Sequence, residues 1–126
     1  MTAPFVHLRL HTEYSLVDGL IRIKSLVKQA AAAGMPAVAV TDMSNLFALI
    51  KFYKAALGAG IKPIIGVDAW VRRQEEPARL ALLCQNLIGY RNLTRLVSRS
   101  FLEGQQRGLP IINYAWLAGS TDGLIA

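Results

Sequence analysis

Three carboxylates and an imidazole sit where apolar runs of this sequence give way to polar turns. His11 and Asp18 follow the run Phe5 to Leu10, Asp42 follows Ala37 to Thr41, and Asp68 lies near the end of "KPIIGVDAWV". One nitrogen donor and three carboxylates brought to one rim would suit a divalent cation such as Zn²⁺ or Mn²⁺. Each residue also has a plainer reading. Asp42 with Asn45, in "TDMSN", has the side chains that cap a helix at a strand–helix junction. Asp18 before Gly19 is a turn pair, and His11 could be a satisfied core histidine. Arg9, two residues before His11, fits a metal site badly, because a guanidinium stays protonated and has no lone pair to give.

The elements that must position these residues alternate along the chain. "FVHLRL" reads as a strand. From Leu20, apolar Leu20, Ile23, Leu26, Val27, Ala30 and Ala31 recur at helical spacing until Gly34 and Pro36 stop them. "AVAVT" is a continuous apolar run, as a buried parallel strand would be. A second helix runs from Leu46 to Leu57 and ends at Gly58 and Gly60. "KPIIGVDAWV" and "ARLALLC" read as the third and fourth strands, joined by "RRQEEP". Leu93, Leu96, Val97, Ser100 and Phe101 mark a third helix, ended near Gly104 and Gly108; "NYAWLAG" is a short helical turn and "GLIA" a fifth strand. The pattern predicts one α/β domain over residues 1–126, with parallel strands alternating with helices. Its last strand opens at the final residues, so the chain is expected to be cut at its C-terminus, leaving an open sheet edge through which it could self-associate.

Bulk properties narrow the function classes. With 53% hydrophobic and 17% charged residues, the chain can build a core and is not a disordered segment. Lys, Arg or Asp interrupts every run before the roughly 20 apolar residues of a membrane span, so no membrane role is expected. No secretory signal is visible, and the single cysteine, Cys84, reads as a buried small hydrophobe; both point to the cytoplasm. The net charge of +6 permits an anionic partner without requiring one.

Three stretches, "HLRLHTEYSLVDG", "GMPAVAVTDMSNLFALIKFYKAALGAGIKPIIGVD" and "LLCQNLIGYRNLTRLVSRSF", closely resemble the N-terminal PHP (polymerase and histidinol phosphatase) domain of bacterial, replicative-type DNA polymerase III alpha subunits. The resemblance runs from Phe5 to Ala126 and implies the first half of a distorted seven-stranded (βα)₇ barrel. Members with an intact metal site look like His-x-His after strand one, Asp-His after strand two, Gly-x-Glu on strand three and a His leading strand four. Carried over by position, these seats hold Arg9 and His11, Asp42 and Met43, Asp68, and Arg79; Asp18 also falls on a family metal position. On this resemblance Arg9, Met43 and Arg79 replace imidazoles. The site is then vestigial, with His11, Asp18, Asp42 and Asp68 as its remaining candidate ligands.

Removing a dication from a nest of carboxylates leaves repulsion of about a kcal/mol or more per close pair at intermediate dielectric. Arg9 and Arg79 could relieve it by pairing with Asp18, Asp42 or Asp68. The resemblance implies no catalysis and no cofactor for this segment, which would act as a structural and docking module. For the parent it implies template-directed DNA synthesis with Mg²⁺ in a distant domain. Its expected partners are the rest of the alpha chain, a proofreading exonuclease subunit, and DNA through the parent. The alternative is an active Zn²⁺- or Mn²⁺-dependent phosphoesterase. Elsewhere, Arg91, Arg95 and Arg99 form a helical stripe that could meet phosphates or a partner. Trp70, Trp116, Tyr53 and Tyr90 read as packing aromatics.

Overall fold

A computed structural model describes residues 4–15 and 19–126. A 3-10 turn (Glu13–Ser15) is followed by α1 (Ile23–Ala32), β1 (Ala37–Met43), α2 (Leu49–Gly58), β2 (Lys62–Arg72), β3 (Pro77–Cys84) and α3 (Leu87–Leu102). The short β4 (Gln105–Gln106), β5 (Leu109–Asn113), a second 3-10 turn (Tyr114–Leu117) and β6 (Leu124–Ile125) complete the order. Among the described residues, no helix is long and apolar enough to cross a membrane.

The two helices ahead of β1 and β2 end by the same device. After α1, Gly34 takes φ 75° and donates its N–H to the Ala31 carbonyl, while Met35 donates to Ala30. After α2, Gly60 takes φ 74° and donates to Leu57, while Ile61 donates to Ala56. Both are paired hydrogen bonds closed by a left-handed glycine, which satisfy the last carbonyls and turn the chain into the next strand.

β2 organises the sheet. Along one edge it pairs in parallel with β1 from Lys62 to Asp68, and then with β5 from Trp70 to Arg72. Along the other edge it pairs antiparallel with β3 from Gly66 to Arg72. The expectation of parallel strands throughout is corrected here. β2–β3, β3–β6 and β4–β5 are antiparallel; the four residues 73–76 between β2 and β3, and the two between β4 and β5, are too few for the crossover that parallel neighbours need. The coarser α/β class holds, with six strands and three helices among the described residues.

"FVHLRL" is extended beside β1 but forms no regular strand. The Ala39 N–H donates to the His7 carbonyl and Thr41 to Leu10, so three residues on one side answer two on the other. The Leu10 N–H turns instead to the Thr41 hydroxyl, 2.9 Å away. This local excess of one residue breaks the ladder.

Two cores flank the change of neighbours along β2. Ile23, Val27, Val38, Val40, Phe52 and Ile61 fill one between α1, α2 and β1. Val67, Ala69, Val71, Leu82, Leu93 and Ile112 fill the other beneath α3. Cys84 is half-buried against the second core, and burial pushes its thiol up to about 11.

Candidate functional site

Asp68 occupies the position on β2 where the β1 ladder ends and before the β5 ladder begins. It is fully buried. Ala81, opposite it on β3, is too small to cover the carboxylate. Three side chains from other parts of the chain meet on its Oδ2 atom. Arg9 donates from Nε at 2.8 Å and from Nη2 at 2.7 Å, and Arg79 donates from Nη2 at 3.0 Å. His11 places Nε2 at 2.9 Å from the same oxygen, and Arg79 Nη2 lies 3.4 Å from that ring nitrogen.

Strand alternation explains how Arg79 gets there. Asp68 and Trp70 share a face of β2, and Arg79 lies directly across from Trp70. Its guanidinium sits over the Trp70 ring, 5.7 Å from the centroid, while reaching diagonally to Asp68. Burial alone would raise the Asp68 pKa. The hydrogen bonds from Arg9 and His11 and the charges of Arg79 and Arg9 outweigh it, so the carboxyl lies below its ordinary value of 3.8. The other oxygen, Oδ1, is buried and has no hydrogen-bond partner among the described residues.

Asp42 is not part of this cluster. It is buried, and its Oδ1 accepts from the Thr12 backbone N–H and, at 2.9 Å, from the Ser15 hydroxyl. Its Oδ2 accepts from the Thr12 hydroxyl at 2.7 Å. It therefore fastens the first 3-10 turn to the end of β1. The helix-capping reading is also corrected. α2 begins after Ala48 with no side-chain cap. Asn45 accepts from the Phe47 N–H and donates to the Tyr14 and Met43 carbonyls. Met43 is half-buried beside Asp68 in the β1–β2 register. Asp18 lies outside the described residues.

Thr12 and Ser15 were not singled out from the sequence, although a signal was there. In a 3-10 turn side chains three apart lie over one another, so hydroxyls at 12 and 15 face one acceptor. Trp70 was read as packing; it also supports Arg79.

The donor set around Asp68 does not suit a divalent cation. Two guanidinium groups occupy the oxygen a metal would need and repel its charge. Among the described residues, no group of three or more His, Cys, Asp or Glu side chains could hold a metal ion. Among the described residues the buried Oδ1 is the one acceptor left without a partner there, and a single oxygen is no coordination shell.

Comparison with known proteins shows the family. DNA polymerase III subunit alpha of Pseudomonas aeruginosa is 59% identical over 129 residues, covering 100% of this chain. The same subunit of Vibrio cholerae is 48% identical over 124 residues, and that of Escherichia coli strain K12 is 49% identical, each covering 96% of this chain. The chain spans 11% of the length of each of these relatives. Two solved structures share the fold at a TM-score of 0.60. One, described as a metal-dependent phosphoesterase from Bifidobacterium adolescentis, is 16% identical and is matched over 75% of this chain and 32% of its own. The other, an amidohydrolase from Chromobacterium violaceum with bound sulfate and no metal, is 22% identical over 74% of this chain and 32% of its own. The profile of the PHP domain family matches residues 7–126, and the chain belongs to that family.

Proposed function

We propose that this chain is the first half of the PHP domain of a replicative DNA polymerase III alpha subunit, where it braces and docks the longer polypeptide and catalyses nothing itself. The observation that carries this is the convergence of Arg9, Arg79 and His11 on one oxygen of Asp68. Where a phosphoesterase needs a Lewis acid and an open ligand position, this site holds cations that cannot leave. Arg9, Met43 and Arg79 stand in seats once held by histidines, and His11, Asp18, Asp42 and Asp68 remain from the same constellation.

The parent's activity would be template-directed nucleotidyl transfer with Mg²⁺ in another domain. The rest of the alpha chain would complete a distorted (βα)₇ barrel around these strands. A proofreading exonuclease subunit and, through the parent, DNA would be the partners, in the cytoplasm; the exposed barrel edge would also permit self-association of the segment alone.

The test is a phosphoesterase assay on the full-length chain with added Mn²⁺ or Zn²⁺. No turnover above the metal-free rate is expected. Metal-dependent turnover that His11→Ala abolishes would establish the alternative, an active phosphoesterase.

A further inference from the structure

We draw no further inference here: the strongest candidate, the apolar groove of about 520 Å³ between the β1–α2 loop and α3, lined by the exposed Phe47, Phe101 and Leu102, carries none because nothing in the structure shows what covers it.

Discussion

Replacing Asp68 by Asn keeps the shape of the side chain and removes the charge that gathers Arg9, His11 and Arg79. A hydrogen bond to a buried charged group contributes about 1.5–3 kcal/mol, but an exposed ion pair contributes only about 0.2–1 kcal/mol. Side-chain exposure is 53% for Arg9 and 36% for Arg79, so solvent competes for both, and about 0.5 kcal/mol apiece is the appropriate scale. The His11 side chain is only 15% exposed and keeps about 2 kcal/mol. The sum is about 3 kcal/mol, and little is regained, because an amide at Oδ1 is as poorly solvated as the carboxylate was. Since every 1.4 kcal/mol is tenfold, the opening equilibrium of β2 should rise about 100-fold. Hydrogen–deuterium exchange of the amides of residues 66–70, in the full-length chain, measures that equilibrium directly. Exchange within threefold of wild type would mean that the cluster is a surface decoration and that the assigned energies are wrong.

The gap between wild type and Asp68→Asn should also depend on pH in one direction. The folded carboxyl lies below 3.8, so its contribution is complete above the ordinary carboxylate range and fades as pH falls through the folded value. Exchange differences should be constant from neutral pH to about 5 and close below about 4; a gap that closes near pH 6 would assign it to another group. Returning histidine to the three substituted seats, Arg9→His with Met43→His and Arg79→His, should create a site for Co²⁺ or Zn²⁺ of about micromolar affinity, about −8 kcal/mol. The readout is the visible absorption of bound Co²⁺, and a triple variant binding no more Co²⁺ than wild type would refute the vestigial reading. Gly89→Ala should detach β6 from α3. An added Cβ would lie 1.9 Å from the Gly123 carbonyl oxygen, which also accepts from the Gln85 N–H. The cost is about 1–3 kcal/mol, read as faster exchange at Gln85 with no change at β1.

The first half of the fold was readable because it repeats a simple signal. Apolar residues at helical spacing, a glycine that must take positive φ, and a continuous apolar run describe both helix-to-strand passages. The antiparallel hairpin could have been read as well, since "RRQEEP" is too short for a crossover, but two apolar runs in an alternating pattern suggested parallel neighbours. β5 escaped because "LPIIN" is short and sits among Gly104, Gly108 and Pro110, all of which read as breakers. At the site, opposite charges in matched seats gave the chemistry but not the pairing. Asp42 and Asp68 look alike in sequence. What separates them is the hydroxyl pair Thr12 and Ser15, which claims Asp42, and the β2–β3 register, which aims Arg79 at Asp68.

The proposed descent from a metal site would explain why Asp68 stays charged where an apolar residue would cost less. A buried ion pair is often no more stable than a well-packed apolar substitute. What it supplies here is connection. Arg9 and His11 belong to the extended segment whose Leu10 packs on the first core, Asp68 to β2, and Arg79 to β3, whose Leu80 and Leu82 pack in the second. A dication bound by residues from these three segments would tie the two cores at one point. Two guanidiniums anchored on two of the segments tie them at the same point without it. Because arginine does not titrate in the physiological range and is not removed by a chelator, such a joint cannot be emptied. Exchange at β2 should therefore be the same with and without EDTA, whereas the triple-histidine variant should become chelator-sensitive. On the proposed reading, loss of a Lewis acid and retention of the brace would follow from the same substitutions.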